Sequence, residues 1–275
     1  MPDHAPDLFR TRNFVPDFDR YTAQYKSRSV ATRSRLRSRL DVPYGKGPAE
    51  RLDLFFPEHQ SGPAPVHLFI HGGYWRMFAK EDFSFVADTV TAAGGIAAIL
   101  DYALMPAVRM EAIVGQVRRA VQWLGDFAGQ HGGDPSRLTI SGHSAGAQLC
   151  CWLLDASRTV PVQSALLVSG IYDLAPLQHS FLQPEIGLTD DEIARWSPLR
   201  ASFSTAAKVT IMVGQLETAP FHDQADEFAK CLGGQHVTIP DANHMSIALD
   251  LGSPMTLPGQ MLERLVRQDI ERQEG

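Results

Sequence analysis

Apolar and polar positions follow two rhythms along this chain. Seven short runs are rich in Val, Ile, Leu, Phe and Ala: 51–56, 66–70, 95–100, 138–140, 164–169, 209–213 and 236–239. Several are continuously apolar rather than alternating, as strands are when helices cover both faces of a parallel sheet. Between them lie helical periods. Ala112, Val117, Ala120, Val121 and Leu124 make one apolar stripe, and 221–231 make another, closed by Gly233 and Gly234 as a C-cap signal. From residue 41 onward this order predicts an α/β fold: a mostly parallel central sheet, helices on both faces and right-handed crossovers.

Two stretches break the rhythm. Residues 1–40 read as an N-terminal helical extension in which Lys26, Arg28, Arg33, Arg35, Arg37 and Arg39 fall together with no acid between them. Such a cluster fits an anionic partner, but a solvated helix face lying over the main domain is the reading preferred here. Residues 174–200 separate two strands with a mixed segment holding Pro176, Pro184 and Pro198, and Thr189 to Glu192 forms a capping box for a short helix. This segment reads as a small cap over the carboxyl ends of the strands. The whole of 1–275 is expected to be one domain, with no repeat or linker.

Bulk composition narrows the classes. The 275 residues are 44% hydrophobic and 20% charged, the balance of a water-facing globular domain. A net charge of −6 gives no reason to expect nucleic acid. No run of about 18 apolar residues predicts a membrane span, and the first residues lack the order of a secretory signal. Three cysteines, Cys150, Cys151 and Cys231, are too few for a disulfide framework, so a cytoplasmic location is the default expectation. No histidine or cysteine spacing suggests a metal site.

The candidate chemistry centres on Gly142-His143-Ser144-Ala145-Gly146. The pattern G-x-S-x-G is common by chance. Here a β-like run precedes it and an apolar helical pattern follows, the context of a nucleophile elbow that lifts Ser144 onto a helix N-terminus. A serine hydroxyl needs a base, and in open parallel sheets functional groups gather at strand carboxyl ends. Of His179, His222, His236 and His244, only His244 follows the terminal strand in a loop before the last helical segment. Among Glu217, Asp173 and Asp241, Glu217 sits in the turn after the run 209–213 and is the preferred acid. Oxyanion donors are expected from the backbone of Ala145 and of Gly72, Gly73 and Tyr74, in the turn after 66–70. Tyr74, Trp75, Phe78 and Met245 flank these motifs, so they are candidates for an aromatic pocket or for ordinary core. Arg76 could pair with a substrate carboxylate, although a solvated surface arginine is the preferred reading.

Together HGGYW, GHSAG, Glu217 and His244 resemble the α/β-hydrolase fold, and within it the hormone-sensitive-lipase-like carboxylesterases and the arylformamidases (kynurenine formamidases) close to them. The stretch from Val213 to Gln224 is similar to the acid-bearing segment of the formamidases, where the acid is usually aspartate. Glu217 departs from that pattern, as Tyr74 departs from the third glycine of HGGG-type esterases. The resemblance covers most of 42–270. It implies Ser144 as nucleophile, Glu217 as orienting acid, His244 as general base, no metal and no cofactor. It also implies a small ester or amide as substrate, most like an aryl formamide such as N-formylkynurenine, and makes a homodimer the common assembly by analogy. A general short-chain carboxylesterase is the alternative, and a non-catalytic binding protein on the same fold is a more distant one.

Overall fold

The computed structural model describes residues 6–155 and 159–267; the first five residues of the N-terminal extension lie outside this range. Eight strands form one sheet in the order β1-β2-β4-β3-β5-β6-β7-β8. They are β1 Ser38–Pro43, β2 Arg51–Phe55, β3 Ala64–Ile70, β4 Ile96–Leu100, β5 Gly133–His143, β6 Ser164–Val168, β7 Lys208–Gly214 and β8 Gln235–Ile239. From β4 to β8 all neighbours are parallel. At the other edge β1 pairs antiparallel with β2, and β2 antiparallel with β4. The seven apolar runs are β2 to β8.

β1 is an addition, and it corrects the reading of 1–40 as helical throughout. Ser38-Arg-Leu-Asp-Val-Pro43 is a polar, largely exposed edge strand. Charge on an edge discourages pairing with another chain, but it also removes the apolar signal by which strands are recognised.

The helices are α1 Phe18–Arg35, α2 Val86–Ala92, α3 Met110–Phe127, α4 Ala145–Cys151, α5 Gln183–Ile186, α6 Asp190–Trp196, α7 Ala219–Leu232, α8 Ser246–Asp250 and α9 Leu257–Arg267. In α3 the buried stripe is Ile113, Val114, Val117, Ala120, Val121 and Leu124; Ala112, expected on it, faces solvent. α7 ends where predicted, with Gly233 at φ +61° and the Gly234 N–H donating to Ala229 O. Two apolar clusters cover the sheet. One joins α3, α4 and α7 to one face, and the other joins α2, α9 and Tyr25 of α1 to the opposite face.

α1 lies over the domain as expected; Lys26, Arg35, Arg37 and Arg39 stay exposed, while Arg28 and Arg33 are half-buried in its contacts. Arg28 donates to Leu249 O at 3.0 Å and Gly252 O at 2.6 Å. Arg33 is hydrogen-bonded to the fully buried Asp53, which also lies 3.2 Å from the buried Lys80. Arg35 pairs with Asp88, and beyond the helix Arg37 sits over the Phe56 ring. The basic segment therefore meets acids, carbonyls and an aromatic ring of its own chain.

Candidate active site

The parallel order brings five strand ends to one place. β5 lies between β3 and β6, so the turn after β3 and the end of β6 flank the elbow, with the ends of β7 and β8 beyond. At the elbow Ser144 has φ +56° and ψ −119°, outside the regions an L-residue ordinarily occupies. Its N–H donates to Val168 O of β6 at 2.8 Å, and α4 begins at the next residue. The turn is this tight only because Gly146 lacks a side chain: a Cβ there would stand 2.0 Å from Ile70 O of β3.

Glu217 and His244 meet. His244 Nδ1 lies 2.6 Å from Glu217 Oε2. Glu217 Oε1 accepts from the Gly214 N–H at 2.8 Å and from Ser169 Oγ at 2.5 Å. Because the carboxylate accepts, Nδ1 carries the imidazole proton, and the Nε2 lone pair is left to face a proton donor. Gly214 makes the approach possible, since a Cβ on it would stand 2.4 Å from Ala242 O. The extra methylene of glutamate over aspartate is taken up inside the turn, where the carboxylate folds back onto the N–H three residues earlier.

His244 is held from both sides. Asn243 Oδ1 accepts from the Met245 and Ser246 N–H groups, both at 2.9 Å, and so fixes the turn that leads into α8. The Tyr25 hydroxyl of α1 donates to Met245 O at 2.6 Å. His143 donates its Nε2–H to His244 O at 2.8 Å, and the two rings are 4.6 Å apart. Burial, and then the neighbouring His244, push the His143 pKa well below the usual histidine value, so this ring stays neutral beside the pair.

The remaining candidates separate cleanly. Asp173 caps Ala175 N–H and faces Arg200 at 3.4 Å. Asp241 sits in the turn before His244 at φ +56°. His236 faces Asp226 from β8, His222 lies on α7 and His179 in the cap. Ser169, at φ +52° on the end of β6, was not singled out by sequence; its only signal is a polar residue closing an apolar strand.

After β3, Gly73 has φ +100°, Tyr74 +51° and Trp75 +58°. This left-handed run turns the backbone beside Ser144, and a Cβ on Gly72 would come within 3.0 Å of the serine Cβ. Among the described residues neither the Gly73 nor the Tyr74 N–H is donated to a protein acceptor, whereas Gly73 O accepts from Arg76 and Met77. His71 anchors the turn from behind, stacked on Tyr102 at 4.4 Å, while the Tyr102 hydroxyl donates to His71 O.

Ser144 and His244 open into one cavity of about 200 Å³ that Gly73, Tyr74, Phe78 and Met245 also line. Trp75 does not belong to it, which corrects its candidacy as a pocket residue. It is fully buried, and its indole N–H donates to Gln148 of α4, whose amide donates in turn to Trp196 O of the cap. The consecutive left-handed residues Tyr74 and Trp75 place the two rings in different environments. Arg76 is ion-paired with Glu185 at 2.5 Å, so it is neither free for a ligand nor simply solvated.

The outer wall comes from two distant segments. The cap supplies Phe181 and Glu185, and the stretch before α1 supplies Arg10, Thr11, Arg12 and, from the helix start, Phe18. They are stitched together: Asp7 accepts from Phe181 N–H, Phe9 packs on Phe221, the Tyr74 hydroxyl donates to Phe9 O, and Thr218 Oγ1 donates to Leu8 O. The cap itself holds to α3 through Arg109, which bonds Glu192, Ile186 O and Gly187 O. Its capping box is present as predicted.

Among the described residues no group of His, Cys, Asp or Glu is arranged to hold a metal, and no helix is long and apolar enough to cross a membrane. Cys150 and Cys151 are buried on α4, where burial raises their thiol pKa values, while Cys231 is exposed.

Comparison with known proteins places this geometry. Residues 52–159 match the BD-FAE family. The chain is 29% identical over 279 residues to a kynurenine formamidase of Danio rerio, covering 96% of this chain and 94% of that one. It is 32% identical over 225 residues to a kynurenine formamidase of Salmo salar, covering 76% and 75%. A Silicibacter crystal structure described as a thioesterase superposes with a TM-score of 0.85 at 27% identity, covering 94% of this chain and 97% of that one.

Proposed function

This chain belongs to the kynurenine formamidase family, a group of amide- and ester-type hydrolases, and from that premise we propose that it cleaves a small aryl formamide of the N-formylkynurenine type through Ser144, His244 and Glu217. The observation that carries the reading is the shared cavity: Ser144 and His244 both line it, and the 2.6 Å bond to Glu217 sets the histidine tautomer that a general base requires.

In this reading the substrate carbonyl enters between Ser144 and the turn after β3. His244 Nε2 takes the serine proton as Oγ bonds to the carbonyl carbon. The oxygen, now an anion, is met by the N–H groups of Gly73, Tyr74 and Ala145, which are fixed before the substrate arrives and so need no reorganisation. Glu217 stabilises the imidazolium without taking its proton. His244 then gives that proton to the leaving amine, and water, activated by the same nitrogen, releases the acid. The neutral His143 beside the base keeps a second positive charge away from the imidazolium.

Simple esters are the competing substrates, because the same donors serve an ester carbonyl. The discriminating measurement is kcat/KM for N-formylkynurenine against short aryl esters. A formamide preference is expected, and failure to turn over the formamide would leave the esterase reading. Ser144→Ala should abolish labelling by a fluorophosphonate probe and lower kcat by at least about 10⁴-fold. Labelling that survives the substitution would remove Ser144 as nucleophile.

A further inference from the structure

Three guanidinium groups stand on the outer wall of the cavity, and they differ in what they meet. Arg12 is paired with Asp19 at 2.8 Å, and Arg76 with Glu185. Arg10 has no carboxylate within ion-pair distance among the described residues. Its guanidinium carbon lies 4.4 Å from the centroid of the Phe181 ring. Phe181 is itself fixed edge-on to Tyr74, with centroids 5.8 Å apart at 88°. The nearby Asp7 carboxylate is occupied by the N–H groups of Phe9 and Phe181.

A ring under a guanidinium holds it in place without neutralising it, and leaves its N–H edge to pair with an anion. Ser144 and the turn after β3 make up the inner end of the same cavity, which at about 200 Å³ suits a ligand of one ring and a short chain. We propose that Arg10 is the specificity-determining residue of this cavity and that it selects substrates carrying a carboxylate on the leaving-group side. The inference rests on the formamide reading in one respect: a formyl group has no room for a charge, so the carboxylate must lie on the leaving amine.

The test uses two formanilides identical except for a ring substituent, carboxymethyl in one and the neutral, similarly shaped carboxamidomethyl in the other. The wild-type protein is expected to favour the carboxymethyl compound by about tenfold in kcat/KM. In Arg10→Met, which keeps an apolar stem over Phe181, the ratio should fall to about one, whereas in Arg12→Met it should persist. The same two compounds titrated into Ser144→Ala protein should show the same preference as binding alone. Equal affinities there, equal kcat/KM in the wild type, or a preference that survives Arg10→Met would overturn the assignment. Preferential binding of the carboxymethyl compound without turnover of either would support Arg10 while overturning the hydrolytic reading of Ser144.

Discussion

The inner and outer halves of the cavity are built on different principles. Ser144, the turn after β3, Ser169, Glu217 and His244 all stand on strand ends, and sheet register fixes their spacing. The outer wall is made of two segments, 7–18 and 181–185, that touch each other and the sheet only through side chains and isolated backbone bonds. In the proposed reaction the inner half would carry chemistry that tolerates little displacement. The outer half carries shape and charge, which can change without moving a strand. One fold can thus keep its reaction and alter its substrate.

If that division is right, the largest effects on rate come from the inner half with little change in KM. Glu217→Gln keeps the shape but offers Nδ1 an amide, so kcat should drop by about 10³- to 10⁴-fold. Ser169→Ala removes one of the donors to Glu217 and should cost about tenfold in kcat. Steady-state kinetics on any substrate accepted by the wild type measure both. A large rise in KM with unchanged kcat in either variant would erase the distinction between the halves.

An outer-half change should do the reverse. Phe181→Ala removes the ring between Tyr74 and Arg10 and should raise KM by about five- to tenfold, with kcat within about twofold of wild type. A hundredfold loss of kcat would instead mean that the outer wall positions the reacting atoms.

The smallest effect concerns acid stability, which the sheet should govern more than the rim. His67 lies fully buried in β3 between Thr139 Oγ1 and Ser141 Oγ, and burial pushes its pKa down to about 3. A base with a depressed native pKa binds fewer protons folded than unfolded, so stability is whole above about pH 6.5 and is lost as pH falls. By pH 5 this one group costs about 2 kcal/mol. Urea midpoints measured from pH 7 to 5 should fall less steeply in His67→Gln than in the wild type, while His143, neutral for the same reason, leaves a residual slope. Parallel curves would place the acid sensitivity elsewhere.

The inner half was also the legible half. Glycine spacing, apolar strands and polar residues just beyond them are local signals, and they located Ser144, the turn after β3, Glu217 and His244. What escaped depends on distance in the chain. The edge strand β1 is polar because its outer side has no neighbour. Trp75 was indistinguishable from Tyr74 because two successive left-handed residues decide which ring enters the cavity. Arg10 and Phe181 gave no sign of meeting, since they lie 171 positions apart.

The bond from Tyr25 to Met245 spans 220 positions, and those from Arg28 to Leu249 and Gly252 span slightly more. On the ribosome, residues 6–35 emerge before any of these acceptors has been made. Contacts of such sequence separation can form only after the intervening chain has been made. Seating α1 therefore joins the wall of the cavity and the loop of His244 in one contact surface. The cavity and the loop of His244 are complete only when residues 7–28 and 244–252 have met.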